Sequence, residues 1–475
     1  MVFSSNVFLF LFLPVFLAIY YLVGAQWRSW VIVMGSYLFY AWWRTDFLFL
    51  FIGITCWNYW FALIIRSQLD KGRKNIAFRW LTLGVLGNLL TLGYFKYANF
   101  GADVIAELLD SMGVDSFTLE RIILPLGISF YVFQAISYIV DIYRKQAQPA
   151  RRFVDFAAFI ALFPQLIAGP IIRYKLIDIQ LRERSHSMEL FSLGASRFML
   201  GFIKKVLIAD SLAPLSHVLL SEPEPQFLDA WFGILVSIFQ LYFDFSGYSH
   251  MAIGLGMMMG FRFPENFNQP YLAQSITEFW QRWHMTLADF LRDYVYMPIV
   301  RKRLSGPVTA LVYTMLLSGL WHGASFAYIL WGLFFGICMV VERYLGIATK
   351  VKTPYVFSRN IRTFLLLCLS MPLFFTGDVQ HSLEIYSGLL GFNGLGGIES
   401  YLYGTSKLTL AFFIFMLTWV FLAGRINIRF YAGRKSGYFM EHVGILGSLV
   451  LWFGFLLSLS RLAANAFSPF LYFQF

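Results

Sequence analysis

Two of the seven histidines stand where an ionisable side chain is costly. His322 closes an apolar run, in Gly319-Leu320-Trp321-His322-Gly323-Ala324. An ionisable group inside a membrane-embedded segment is functional by default, because little else repays its desolvation. The small residues at 319, 323 and 324 leave room for a substrate or a second backbone. His284 ends the run Ile276-Thr-Glu-Phe-Trp-Gln-Arg-Trp-His284, in which Thr277 followed by charged residues reads as a helix start. At helical spacing Trp280, Trp283, His284, Leu287, Leu291 and Tyr294 form one stripe. Arg282, Asp289, Arg292, Asp293 and Tyr296 form the opposite face. The pattern predicts one amphipathic helix at the membrane interface, with His284 turned inward.

Neutral imidazole is the usual general base near neutral pH, and two inward histidines on separate elements suggest a single site. Acyl transfer from a thioester asks for little more. It needs a base for the nucleophile's proton, a donor to the developing oxyanion and a dry channel. Structural readings stand beside this one: His322 as a hydrogen-bonded core histidine, His284 as a Trp-flanked interfacial anchor. Asp244, in Leu241-Tyr-Phe-Asp-Phe-Ser-Gly-Tyr248, needs a partner at membrane depth. It either orients a histidine or sits in an internal ion pair, the plainer reading. Asn266, Asn268 and Gln269, before Pro270, form a polar turn that could line a donor entry or satisfy loop backbone. His186, His217, His381 and His442 lie in or beside polar segments, and His250 follows the Asp244 run.

No GxSxG or Walker motif competes. Gly254, Gly256 and Gly260 miss the dinucleotide fingerprint by one residue, with no strand before them. Cys56, Cys338 and Cys368 lie in apolar runs and read as small hydrophobes, with no metal-ligand cluster.

The elements that must position these residues are membrane spans. The chain is 59% hydrophobic and 13% charged, whereas a soluble domain carries about 25% charged residues. The net charge of +11 does not mark a nucleic-acid binder, because the basic residues sit in short segments between apolar runs. Spans are expected at 7–24, 47–65, 80–95, 122–140, 227–245, 308–320, 325–341, 361–376, 408–422 and 443–459. Residues 30–43, 153–170 and 193–208 are less regular. The total is roughly 10 to 13 membrane-embedded segments. Phe163-Pro-Gln165 and Ala168-Gly-Pro170 interrupt one run, as a cavity-lining re-entrant segment or a Pro-kinked span. The expectation is an all-α polytopic membrane protein, a single transmembrane domain over 1–475 with no separate soluble domain. Met1 to Asn6 carries no Lys or Arg, so the first span reads as an anchor entered from outside and not as a signal peptide.

Several runs together carry a family likeness. They are Phe243-Asp-Phe-Ser-Gly-Tyr-Ser249, Gly260-Phe-Arg-Phe-Pro-Glu-Asn-Phe-Asn-Gln-Pro270, Thr277-Glu-Phe-Trp-Gln-Arg-Trp-His284, Leu291-Arg-Asp-Tyr294 and Leu320-Trp-His-Gly323. The opening Met1-Val-Phe-Ser-Ser-Asn-Val-Phe8, the run Tyr94-Phe-Lys-Tyr-Ala-Asn99 and the ending Ser468-Pro-Phe-Leu-Tyr-Phe-Gln-Phe475 join them. The ordered set, spread over essentially the whole chain, resembles the membrane-bound O-acyltransferase (MBOAT) family, in its subgroup that O-acetylates bacterial polysaccharides such as alginate and cellulose.

The resemblance implies a ring of helices around a central tunnel, thinned where a cytoplasmic donor meets an outer acceptor. It implies that His322 is catalytic, with His284 on the opposite approach to the same tunnel. Asp244, Ser246, Asn266, Asn268, Trp283 and Trp321 are expected to bind substrate or line that tunnel. Acetyl-CoA is the implied donor, with no permanently bound cofactor and no metal. The implied setting is the bacterial inner membrane, among lipid, with a separate extracytoplasmic acetyltransferase and the polymer secretion machinery as partners. After Arg292-Asp-Tyr-Val-Tyr296 this chain reads Met297-Pro-Ile-Val-Arg-Lys-Arg303, where the subgroup carries a Gly-Gly-Asn-Arg stretch. With the short chain, this departure tilts the expected polymer toward cellulose over alginate. A transporter or flippase is the alternative, though the paired half-helix repeats of such proteins are not found. A non-catalytic scaffold is the third reading.

Charge asymmetry gives a test. Arg66, Lys71, Arg73, Lys74 and Arg79 place 66–79 in the cytoplasm, and Asp103, Glu107 and Asp110 place 101–120 outside. Single cysteines in each, probed on whole cells with an impermeant thiol reagent, are expected to label only in 101–120. Labelling in 66–79 would reverse the orientation.

Overall fold

In lipid, backbone polar groups can be satisfied only within helices or closed barrels. Among the residues described by the computed structural model (1–114, 120–347, 354–397, 410, 413–414, 417–418, 445–464 and 470) there is no strand. The chain is an all-α polytopic membrane protein. Among the described residues, five helices are long and apolar enough to cross a bilayer. The expected span at 408–422 lies almost wholly outside the described residues.

Two compact units divide the chain, Met1–Phe198 with Met251–Pro264, and Met199–His250 with Glu265–Phe475. The first contains α1 (Phe8–Leu22), α2 (Arg28–Ala41), α3 (Asp46–Asp70), α4 (Lys74–Ser111), α5 (Ile128–Tyr143), α6 (Phe153–Ala161), α7 (Phe163–Leu166), α8 (Asp178–Arg182) and most of α9 (Met188–Ile203). The break between α6 and α7 falls in the run that the sequence marks as irregular. Residues 154–172 are buried throughout, so protein rather than lipid surrounds the broken backbone. Phe163 fills the break, its ring 5.1 to 6.3 Å from those of Phe3, Phe8, Phe12, Phe16 and Phe39.

The second unit contains α10 (Asp210–Ser221), most of α11 (Phe227–Met258), α12 (Ile276–Trp280), α13 (Met285–Leu291), α14 (Met297–Arg301), α15 (Pro307–His322), α16 (Phe326–Tyr344), α17 (Phe357–Thr376), α18 (Val379–Leu389) and α19 (Ile445–Ala464). Helices α15 and α16 form a tight antiparallel pair. A Cβ on Gly319 would run into the Tyr328 carbonyl oxygen, and one on Gly332 into the Met315 carbonyl oxygen. Glycine lets these backbones meet, and the contact seats the end of α15 against α16. Glu342, 4% exposed on α16, accepts from the amides of Ile276 (2.6 Å) and Thr277 (2.9 Å) and from the Thr277 hydroxyl (2.8 Å). Its carboxylate thereby satisfies the orphan donors that open α12.

The continuous amphipathic helix expected over 276–296 is not present. Ser275 caps α12, accepting from the Glu278 amide at 3.0 Å, and the helix stops after Trp280. His284 takes a left-handed backbone (φ 42, ψ 50) before α13 begins, and a π-helical turn follows at Arg292–Tyr296. The competing interaction comes from the 266–268 loop. The Asn266 carbonyl accepts from the Met285 amide (2.9 Å), and the Asn268 amide donates to the Arg282 carbonyl (2.8 Å). These bonds replace the i→i−4 ladder and turn the chain.

Asn58 on α3 and Asn88 on α4 exchange amide hydrogen bonds of 2.9 and 2.8 Å, and both are fully buried. Each also donates to its own helix, to the carbonyls of Ile54 and Gly84. Interhelical bonds of this kind contribute about 0.6 to 2 kcal/mol in a membrane protein. Asn58→Leu and Asn88→Leu are each expected to destabilise by about that amount, and the double variant by little more than one of them. Detergent-driven unfolding of the four proteins reads the coupling, and full additivity would refute it.

Candidate active site

The second unit contains a mostly aromatic cavity with one open end. Leu241 and Phe245 of α11 line it, with Tyr271, Phe279 of α12, Trp331 of α16, and Leu367, Met371 and Phe374 of α17. His284, Trp283 and His322 complete the wall. The structure therefore brings the two sequence-predicted histidines to one space.

His322 is the last residue of α15 and 6% exposed. Trp331 and Phe374 pack edge-on to its ring at 4.9 and 5.1 Å. His284 is 1% exposed, with Phe245 edge-on at 4.8 Å. The Trp321 ring stands 4.7 Å from that of His322 and 5.9 Å from that of His284, so one indole abuts both.

Asn266 sets the chemistry of His284. Its side-chain oxygen accepts from the Thr286 amide (3.3 Å) and hydroxyl (2.9 Å) and lies 3.0 Å from His284 Nδ1. An atom that accepts from a backbone N–H is the amide oxygen, so Nδ1 carries the proton and donates. Nε2 is then the nitrogen with the lone pair. Burial pushes the His284 imidazole well below its ordinary pKa, which keeps it neutral. A left-handed backbone costs a non-glycine residue of order 1 kcal/mol or more, and such strain persists where neighbours over-determine it. Here Asn266 grips His284 and the two residues after it, while Asn268 holds Arg282 before it.

The other candidates divide. Trp283 lines the cavity and Trp321 touches both imidazoles. Asn268 contributes backbone, its carbonyl accepting from Arg282 at 3.1 Å. Asp244 and Ser246 are buried on α11 but are not among the described residues lining the cavity. Asp244 is in an internal ion pair, 2.7 Å from Lys205 Nζ, which also lies 2.7 Å from Asp210. Lys205 was hidden in the sequence as half of a Lys-Lys pair at a span end. Nothing periodic marks it as 4% exposed on a π-helical turn (Lys204–Ala209).

Residues 150–371 match the MBOAT, membrane-bound O-acyltransferase family. That stretch holds both histidines and every cavity residue except Phe374. Over the full length of both chains, this protein is 45% identical to the probable alginate O-acetylase AlgI of Pseudomonas syringae pv. tomato. The chain belongs to the membrane-bound O-acyltransferase family. A probable alginate O-acetylase AlgI of Pseudomonas putida is likewise 45% identical over all of both chains. A peptidoglycan O-acetyltransferase of Helicobacter pylori is 33% identical over 83% of this chain and 81% of its own. In this MBOAT chain the family match spans the α15–α16 pair and the 266–286 turn, the two devices that place the histidines.

Asn266→Ala is expected to lower acyl transfer by about 10- to 100-fold, the equivalent of the roughly 1–3 kcal/mol lost when a buried polar group is left unpaired. Membrane insertion should be unchanged. Arg292 and Asp289 form a half-exposed pair at 2.7 Å, and their Ala variants should cost far less. Transfer per inserted molecule checks this, and a larger loss from Arg292→Ala would show the positioning to be misassigned.

Proposed function

We propose that this protein passes an acetyl group from cytoplasmic acetyl-CoA across the bacterial inner membrane, for O-acetylation of an exported polysaccharide. The observation that carries the reading is the pair of imidazoles, His284 and His322, facing one aromatic-walled cavity. An aromatic-walled space with two imidazoles suits thioester chemistry, because hydrolysis is suppressed and a neutral imidazole can take a proton directly.

His322 is the general base. Its ring takes the proton of the attacking hydroxyl as that oxygen bonds to the acetyl carbonyl carbon. The carbon–sulfur bond then breaks, and the thiolate of coenzyme A takes that proton from His322, restoring the base. His284 faces the same space, held through Nδ1 by Asn266, and orders the acceptor or donor there. Trp283 and Trp321 shape the passage between them. Acetyl-CoA enters as a substrate, and the chemistry requires no resident cofactor.

The relatives support the type of acceptor. Those matched over their full length are named for alginate, and the Helicobacter protein for peptidoglycan, so O-acetylation of a glycan polymer is common to them. On this ground an alginate-type polymer is preferred to cellulose. A secreted acetyltransferase that completes the modification, and the export machinery of the polymer, are the partners this reading calls for.

General base catalysis contributes about 100- to 10,000-fold in rate. His322→Ala and His322→Gln should insert normally and leave polymer secretion intact, while polymer acetyl content falls to background. Glutamine can hydrogen-bond but cannot take a proton, so it separates base from scaffold. Infrared ester absorbance of the secreted polymer reads the result. Near-normal acetylation with His322→Gln, in a strain without a second homologue, would remove the base role and favour a transporter or scaffold.

A further inference from the structure

The first unit carries a second built cluster, where α2 meets the segment before α9. Arg28, the first residue of α2, stacks its guanidinium 5.4 Å from the Tyr20 ring and 6.0 Å from the Tyr21 ring. It donates through one Nη to His186 Nδ1 at 2.9 Å. Arg184 donates to the Ser29 hydroxyl (2.7 Å) and the Leu181 carbonyl (3.1 Å), and lies 5.1 Å over the Phe261 ring. The proton pattern is determined. Tyr20 donates its hydroxyl proton to the Met259 carbonyl (2.7 Å), so the 3.1 Å contact with His186 Nε2 has the imidazole as donor. His186 is therefore a neutral Nε2–H tautomer accepting from Arg28.

Neither guanidinium meets a carboxylate among the described residues. The nearby carboxylate, Asp155, is committed to Arg152 through bonds of 2.9 and 2.8 Å and accepts from Ser29. Arg28 Nε is buried with no acceptor among the described residues. Burial, and then the charges of Arg28 and Arg184, hold the His186 pKa below its ordinary value. Two unneutralised forks side by side suit an anion with several acceptor oxygens. The surroundings place that anion at headgroup depth. Leu22, Trp27 and Trp30 are 85%, 56% and 45% exposed around Arg28, an apolar and indole rim of the interfacial kind.

We propose that Arg28 and Arg184, braced by His186 and Tyr20, form a binding site for a phosphate group at the cytoplasmic membrane surface. The phosphate belongs either to the soluble acyl donor or to an anionic phospholipid. The site is separate from the cavity residues, and its test measures binding without turnover, so it stands or falls apart from the transferase reading.

The full-length protein in phosphatidylcholine discs is titrated with coenzyme A. In parallel, discs containing phosphatidylglycerol are used to count the lipid retained on the protein by native mass spectrometry. The Arg28→Gln/Arg184→Gln protein should weaken one ligand by about 10-fold or more. Loss of coenzyme A assigns the site to the donor, and loss of phosphatidylglycerol assigns it to a headgroup. Arg28→Lys keeps the charge but not the fork, should be intermediate, and decides the matter if the double variant melts early. Wild-type binding of both ligands by the variants would overturn the proposal. An equal loss from Arg292→Gln would also overturn it, by showing a bulk charge effect.

Discussion

A polar group removed from water must find its partner inside the chain, and this constraint accounts for the way the helices are joined. Helices α3 and α4 are tied by the exchange between Asn58 and Asn88. The start of α12 is tied to α16 by the Glu342 carboxylate. Lys205 joins Asp210 to Asp244 on α11. Each bond offsets a desolvation cost that would otherwise exclude the residue from an apolar interior. Each also specifies a register that uniform apolar packing leaves open.

The candidate active site follows the same rule at higher stakes. His284 is held in an unfavourable backbone conformation because Asn266 satisfies the imidazole, the Thr286 hydroxyl and the amides on the far side of the turn together. His322 is placed differently, at the end of α15, where glycine contacts bring α15 and α16 close enough for Trp331 to pack on its ring. One histidine is fixed by hydrogen bonds and the other by shape. Both end at one aromatic space.

Apolar run length marked where the helices lie, because the bilayer leaves one backbone solution. Five of the described helices are long and apolar enough to cross it, and α4 and α11 continue to Ser111 and Met258, well past the apolar runs that announced them. His322 was legible for a related reason, as an ionisable group closing an apolar run, whereas His284 was marked only by a helical stripe. The break at His284 was not legible. Helical periodicity in 276–296 is real, but its competitor is a side chain 18 residues earlier, and no local pattern records it. Glu342 was missed because it looks like an ordinary polar residue at a span end. Asp244 was legible as a group needing a partner, but Lys205 could not be named without the fold.

The most direct measurement is an electron cryomicroscopy map of the protein in lipid discs with a non-hydrolysable thioether analogue of acetyl-CoA. The account predicts density for the acyl end within the cavity, in contact with His322 and on the side facing His284. An ordered analogue whose acyl end lies away from both imidazoles would contradict the assignment of this cavity as the place where acyl transfer occurs.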